Sequence, residues 1–216
     1  MLFRSMAYPT VSAPYGLKPV NLIGGQVFAG QTRELPITTS SVNYSTAIYN
    51  GDVVAITSSG TVIKSALAAD SSPLAGTIGI FVGASYTNPS TNQKIFTQSW
   101  PGFASGVTDA VAYIVDDPDA LFKVASVGAT ADSTGLTVTA LAQTVLGNNV
   151  ALVQNTGNST TGDSKVGVYW NSGATTSSLP FRIVDLVPDT QTSSGFVEVI
   201  VKFNFGYHSY YNATGV

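Results

Sequence analysis

Few residues of this chain have side chains suited to catalysis. The chain contains one histidine, His208, within the aromatic sequence GYHSYY near its end. Nucleophilic catalysis by serine or threonine needs a base that accepts the hydroxyl proton, usually a histidine. No serine lies in the G-x-S-x-G sequence that often holds such a nucleophile. We therefore interpret His208 as a packing or surface residue and predict no catalytic residues.

The strongest acidic cluster comprises Asp109, Asp116, Asp117 and Asp119. Paired carboxylates can hydrolyse glycosidic bonds or bind Ca²⁺. However, the spacing D-D-P-D lacks the glycine and the terminal glutamate of an EF-hand loop. Aspartate and proline both favour turns. The segment is therefore interpreted as a tight turn, with calcium binding at a subunit contact as the alternative.

Two tryptophans and a glycine pair are the remaining candidates for ligand binding. Trp100 and Trp170 could stack on sugars, but each ends a predicted strand, where tryptophan more often fills a core or anchors an interface. Gly24–Gly25 is not followed by a phosphate-binding pattern, which indicates a bend. The sequence thus predicts no cofactor and no metal site.

The elements that must position these residues have the pattern of β-structure. Val, Ile, Thr, Phe and Tyr dominate short runs separated by Gly, Ser, Asn and Pro. Gly60 supplies the positive φ of a tight hairpin turn. One short helix is predicted over residues 139–146, with Gly147 as its C-cap. The predicted strands cover residues 52–57, 61–64, 76–85, 94–100, 110–115, 121–127, 136–139, 150–154, 165–169, 179–186 and 196–204.

These elements predict an all-β fold of one or two small β-barrels with at most one short helix. The segment around Pro118 cannot lie in a central strand, and it separates two groups of strands. We therefore predict a first β subdomain over residues 37–117 and a second over residues 118–216.

Residues 1–36 are predicted to form an extended N-terminal arm. Prolines at positions 9, 14, 19 and 36 remove backbone donors and favour extended geometry. The arm is also rich in apolar and aromatic residues, unlike a disordered tail, so it needs a surface to bury against, either its own barrel or a neighbour's. We predict that this surface belongs to a neighbouring molecule. The predicted contact residues are Leu2, Phe3, Arg4, Tyr8, Tyr15, Leu17 and Phe28, with Tyr207, Tyr210 and Tyr211 of the C-terminal tail as a second candidate interface.

Composition argues against several classes of partner. Only 10% of the residues are charged, against roughly 25% in typical soluble domains. The net charge is −3 and the nine basic residues are scattered, so nucleic-acid binding is not predicted. There are no cysteines, which excludes disulfides and thiolate metal sites. No apolar run is long enough to span a membrane, and the N-terminus lacks the apolar region of a secretory signal, so we expect synthesis in a cytoplasm.

The segment YNGDVVAITSSGTVIKSALAADSSPLAGTIGIFVGASY at residues 49–86 resembles the β-tulip-like core of lambda-type capsid decoration proteins of tailed phages. A Gly-Asp strand entry leads into a short hairpin and then into a G-T-I-G-I-F-V-G strand. Residues 12–25, 98–103, 111–124 and 178–188 are similar to virion-associated proteins of marine and cyanobacterial phages. The chain is about twice the size of the lambda-type proteins, and its second β group has no counterpart there.

The resemblance implies a structural virion protein and no reaction. Such a decoration, or cement, protein binds the capsid exterior, contacts the phage's major capsid protein and forms an oligomer, with a trimer favoured. Two alternatives remain open from the residues alone. One is a tail or fibre component that binds a receptor or glycan, and the other is a polysaccharide-degrading enzyme that uses Asp116, Asp117 or Asp119.

Overall fold

The computed structural model describes residues 11–38, 44–65, 76–127, 141–191 and 195–216. Within these ranges the protein is all-β, as predicted, and its only helical elements are three 3₁₀ turns at Gln143–Val145, Pro188–Thr190 and Ser209–Tyr211. The predicted helix is thus reduced to the first of these turns, although residues 139 and 140 lie outside the described ranges. The predicted strand at 136–139 also lies outside them. No helix in the described ranges is long and apolar enough to cross a membrane.

Fourteen strands build the described part of the molecule. In chain order they are β1 (Lys18–Leu22), β2 (Arg33–Pro36), β3 (Ile48–Tyr49), β4 (Val53–Ile56), β5 (Val62–Lys64), β6 (Thr77–Thr87), β7 (Lys94–Thr97), β8 (Ser99–Trp100), β9 (Val111–Val115), β10 (Ala120–Val127), β11 (Asn149–Val153), β12 (Gly167–Ala174), β13 (Phe181–Leu186) and β14 (Glu198–Phe203).

The first sheet is antiparallel and has the strand order β2-β9-β6-β4-β5, with β7 also paired to β6. Its longest strand, β6, is almost entirely buried because β4, β7 and β9 pair with it and its sequence TIGIFVGASYT is largely apolar or small. Gly60 has a φ of +76° in the turn between β4 and β5, which confirms the predicted hairpin. Trp100 is fully buried and packs edge-on against Tyr86 and Phe103.

The second sheet closes into a five-stranded barrel in the order β10-β12-β11-β13-β14, with β14 pairing back to β10. Strand β14 occupies one edge of β10 along residues 122–125. On the opposite edge, β1 pairs with residues 120–123, and β12 pairs with Ser126 and Val127. The barrel is filled by side chains such as Phe122, Phe181 and Phe203, and the Phe203 ring contacts the rings of the other two.

A junction of three chain segments joins the sheet to the barrel. Gly16 and Gly51 approach so closely that a Cβ on Gly16 would lie 2.9 Å from the Gly51 Cα. The carboxylate of Asp52, which has no solvent exposure, binds the Lys64 ammonium at 3.0 Å and accepts a hydrogen bond from the Ser164 hydroxyl at 2.6 Å. Because Asp52 lies on the sheet side and Ser164 just before β12, this buried bond connects the two halves.

The prediction of an arm buried against a neighbour is wrong for Leu17 and for the two strands that the arm contains. Strand β1 pairs with β10, and strand β2 pairs with β9. Leu17 is fully buried in the barrel core. Pro19 and Pro36 are compatible with this pairing because both strands lie at sheet edges, where a missing N–H is tolerated. Leu17 and the two strands of the arm therefore have a burial partner within the same fold, whereas Ile23 and Val27 in the loop after β1 stay exposed.

The chain passes from the first sheet to the barrel at residues 116–119, between β9 and β10. The two halves share apolar contacts, since the barrel core also contains Val53, Ile80 and Val115. Separate subdomains on either side of residue 117 stay a prediction.

Candidate interaction surface

Five apolar or aromatic side chains remain exposed around the turn at residues 116–119. Their exposed fractions run from 37% for Tyr211 to 79% for Val27 and Phe205. Soluble proteins rarely leave such groups clustered without a binding role. This set, called the aromatic surface below, consists of Ile23, Val27, Phe205, Tyr210 and Tyr211.

The loop after β1 presents the first two of these side chains. Its backbone closes through hydrogen bonds from Leu22 N–H to the Gln26 carbonyl at 2.9 Å and from Ile23 N–H to the Asp119 carbonyl at 2.9 Å. Gly24 and Gly25 have φ values of +91° and +85°, which confirms the bend predicted there. The loop is therefore fixed to the 116–119 turn, with Ile23 47% exposed.

The C-terminal tail presents the other three side chains and is anchored by two buried residues. Tyr207 and His208 have no solvent exposure, and the Tyr207 hydroxyl donates a hydrogen bond to the Ser178 carbonyl. Before and after these anchors, Phe205 and Tyr211 face solvent with nearly parallel rings, 6.0 Å apart at 22°. The aromatic surface is therefore held by the folded core rather than by a flexible tail.

The acidic segment at 116–119 forms the tight turn interpreted from its sequence. The Ala120 N–H donates to the Asp117 carbonyl at 3.1 Å, and the Asp119 N–H donates to the Asp117 carboxylate at 2.8 Å. Asp116 accepts hydrogen bonds from the Tyr210 hydroxyl at 2.5 Å and from Arg33 at 3.3 Å. The turn thus fixes the position of the tail.

Asp119 binds Lys202 and Tyr211, and the Lys202 charge favours its ionised form. It accepts a hydrogen bond from Lys202 at 2.6 Å and from the Tyr211 hydroxyl at 3.2 Å. The Lys202 ammonium lowers the pKa of Asp119, so this carboxyl is ionised near neutral pH. A general acid of a glycosidase needs a raised pKa instead. Among the described residues, no group of three or more acidic or histidine side chains is placed to hold a metal ion.

His208 lies in an aromatic environment. Its Nδ1 accepts a hydrogen bond from the Tyr210 N–H at 3.3 Å, and its ring contacts those of Phe203, Tyr210 and Tyr211. Burial lowers the pKa of His208, so the imidazole is neutral near pH 7. This is the packing role interpreted from the sequence.

Two small clefts flank the 116–119 turn. One has a volume of about 210 Å³ and is lined by Ile23, Arg182, Lys202, Phe205 and Tyr211 among others. The other, of about 250 Å³, is lined by residues that include Val27, Phe28, Asp116, Asp117 and Tyr210. Pockets for drug-sized ligands usually measure about 300–1,000 Å³. These clefts are therefore sized for one or two side chains of a partner.

The predicted contact residues lie in different environments. Leu2, Phe3, Arg4 and Tyr8 lie outside the described residues. The predicted contact is wrong for Leu17 and Tyr207, because both side chains are fully buried in the protein's own core. The Tyr15 hydroxyl donates to the Glu198 carboxylate within the fold.

The interface role of the remaining three residues stays a prediction. Phe28 is half-buried beside the second cleft, and Tyr210 and Tyr211 belong to the aromatic surface. Ile23, Val27 and Phe205 were not among the predicted contacts. Phe205 lies two residues beyond the alternating strand sequence FVEVIVKF, so an aromatic residue just past the end of a strand was the available signal.

The two tryptophans do not form a sugar platform together. Trp100 is fully buried, and its indole N–H donates to the Tyr44 carbonyl at 2.8 Å. Trp170 is half-buried against the barrel core. The core role favoured from the sequence is therefore confirmed for Trp100.

The fold and surface place the protein in the broad class of all-β proteins with a closed five-stranded barrel. Comparisons with protein-family models, with curated proteins and with solved structures give no match.

Proposed function

We propose that this protein is a structural virion protein that binds the outer surface of an assembled phage capsid and stabilises contacts between major capsid protein subunits. The observation that carries the proposal is the aromatic surface, in which five exposed side chains lie on segments held by backbone hydrogen bonds or by the buried Tyr207 and His208. Exposed, rigid aromatic side chains are the residues that dominate protein interfaces. The resemblance of residues 49–86 to decoration proteins supplies the identity of the partner.

The surface suits a cement role because it is already ordered before binding. Little conformational entropy is then lost when a partner is bound. A protein that contacts neighbouring capsid subunits binds the assembled shell better than the separate subunits, and this difference shifts the equilibrium towards the closed shell. A trimer would present three copies of the surface, and multivalent contact would strengthen binding further.

Co-sedimentation with purified capsids of the parent phage tests the proposal. Replacing Phe205 and Tyr211 together by serine should weaken binding at least about tenfold, because truncating interface anchors typically costs more than about 1 kcal/mol each. Phe96→Ser is the matched control. Phe96 is 72% exposed on β7, which pairs with the end of β6 remote from the 116–119 turn, and its loss should leave binding unchanged. No binding by the wild type, or equal binding by all three proteins, would refute the proposal.

The second candidate is a tail or fibre component that binds a receptor or glycan. The nearly parallel exposed rings of Phe205 and Tyr211 favour it, because such a pair can also cover the apolar face of a sugar. Copy number separates the two candidates. A cement protein is present in numbers close to those of the capsid lattice sites, whereas a tail component is present in few copies, and quantitative mass spectrometry of virions distinguishes these results.

A further inference from the structure

Arg182 is an unusual cation in the described part of the chain. Six of the other basic residues there form ion pairs: Lys18, Arg33, Lys64, Lys94, Lys123 and Lys202. No carboxylate among the described residues lies within ion-pair distance of Arg182. This leaves the positive charge of Arg182 uncompensated beside the aromatic surface.

Two buried asparagines hold the Arg182 guanidinium in place. Its Nε donates to the Asn149 Oδ1 at 3.0 Å, and one terminal nitrogen donates to the Asn204 Oδ1 at 3.3 Å. Asn149 and Asn204 are only 3% and 4% exposed. Each amide is itself oriented by donation to a backbone carbonyl, at Thr176 (2.8 Å) and Leu179 (2.9 Å).

This arrangement leaves part of the guanidinium available. Arginine has five N–H donors in a planar fork, and the two asparagines use two of them. The other cation of the same cleft, Lys202, is neutralised by Asp119 at 2.6 Å. Arg182 is thus the unpaired charge in a cleft of about 210 Å³ whose walls include Phe205, Tyr211 and Ile23.

We propose that this cleft is a carboxylate-binding site, in which Arg182 pairs with an aspartate or glutamate side chain of the partner protein. A planar guanidinium fork matches a carboxylate in a bidentate pair. Arg182 is exposed on β13, so a partner can reach it, and the cleft volume suits one acidic side chain. The identity of the partner, a capsid subunit, rests on the proposed function, whereas the carboxylate chemistry does not.

A titration followed by NMR tests the carboxylate chemistry by itself. The probe is N-acetyl-aspartate methylamide, with N-acetyl-asparagine methylamide as its uncharged counterpart. We expect saturable shifts of the Arg182 Nε–H and the Asn204 side-chain amide with the acid only, and their loss in Arg182→Gln. The site is refuted if the acid gives no saturable shift, if the uncharged amide gives the same shift, or if inorganic phosphate binds more tightly than the acid.

Capsid co-sedimentation then tests whether the partner is a capsid subunit. Arg182→Gln should weaken binding by about tenfold, as expected for the loss of one charged hydrogen-bonded pair, and Arg182→Lys should restore only part of it. The matched control is Lys165→Gln, since Lys165 forms no ion pair with any described residue but lies outside the cleft and carries the same charge. Equal binding by the Arg182 and Lys165 variants, with unchanged melting temperatures, would exclude a capsid carboxylate as the occupant. Failure of the wild type to bind capsids would instead refute the proposed function, and the titration would still decide the site.

Discussion

At the scale of single residues, the buried His208 beside the aromatic surface makes the stability of the fold depend on pH. Its imidazole is fully buried, and burial lowers its pKa more strongly than the nearby Asp116 and Asp117 raise it. In the unfolded chain the pKa of histidine is about 6.5. Above that pH both states are neutral and the full stability is present. Below it the unfolded chain takes up a proton first, so stability falls as pH decreases towards the folded pKa.

We therefore expect the free energy of unfolding to decrease between pH 7 and pH 5.5, with a slope of at most about 1.4 kcal/mol per pH unit from this residue. Urea unfolding at several pH values measures it. His208→Gln removes the titrating group, so its unfolding free energy should change less over the same interval. Parallel profiles for the two proteins would contradict the assignment.

A second residue-scale prediction concerns the buried carboxylate of Asp52. It binds the Lys64 ammonium and accepts hydrogen bonds from the Ser164 hydroxyl and the Tyr49 N–H. Removing its charge leaves Lys64, which is only 18% exposed, without its partner. Asp52→Asn should therefore destabilise the protein by about 3 kcal/mol or more. The control is Asp109→Asn, whose ion pair with Lys94 is exposed on both sides and should contribute less than about 1 kcal/mol.

At the scale of elements, β1 is part of the barrel rather than an arm available to another molecule. Leu17 enters the barrel core directly before β1. Leu17→Ala should lower the free energy of unfolding by about 2–5 kcal/mol, as for other buried leucines. Val27→Ala, at a side chain 79% exposed, should change it by less than about 0.5 kcal/mol. Chemical denaturation measures both changes, and a Leu17 effect as small as that of Val27 would contradict the packing.

The pairing of β1 with β10 also changes the result expected for a deletion of residues 1–28. If residues 1–28 formed a separate arm, their deletion would leave a folded protein that does not bind capsids. The deletion instead removes all of β1, exposes the edge of β10 along residues 120–123 and empties the site of Leu17. We expect this truncated protein to be destabilised or aggregated, so it cannot serve as a test of binding.

The locally determined elements of the fold are predictable from the sequence, whereas the long-range strand pairings are not. The β4–β5 hairpin and the turn at Asp117–Pro118 depend on local residue preferences, and both were predicted. The pairing of β1 with β10 and the parallel pairing of β10 with β12 join segments far apart in the chain. No local pattern specifies them. The apolar character of the arm was clear, but the surface that buries it was not.

The candidate site was predictable in part for the same reason. Tyr210 and Tyr211 lie in a conspicuous aromatic tail, whereas Tyr207 in the same tail is buried. Which of these rings faces solvent depends on the long-range contact with Ser178 and on the turn at 116–119. Arg182 gave no local signal, because its role depends on Asn149, Asn204 and a cleft built by three chain segments.

At the scale of the whole molecule, the sheet and the barrel are joined by polar and apolar contacts. The Asp52–Ser164 hydrogen bond crosses the junction, and Val53, Ile80 and Val115 pack into the barrel core. Elements that share a core unfold together, whereas separate subdomains unfold independently. We therefore expect one cooperative transition for the described halves of the chain.

The two tryptophans make this expectation directly measurable. Trp100 is buried in the core of the first sheet, and Trp170 packs against the barrel core. In Trp170→Phe, fluorescence reports the first sheet through Trp100, and in Trp100→Phe it reports the barrel through Trp170. If the halves are coupled, fluorescence and circular dichroism give the same denaturation midpoint within each variant, although Trp100→Phe lowers that midpoint because it leaves a cavity. Distinct fluorescence and circular dichroism midpoints within one variant would instead show that the junction at Gly16, Gly51 and Asp52 does not bind the halves into one folding unit.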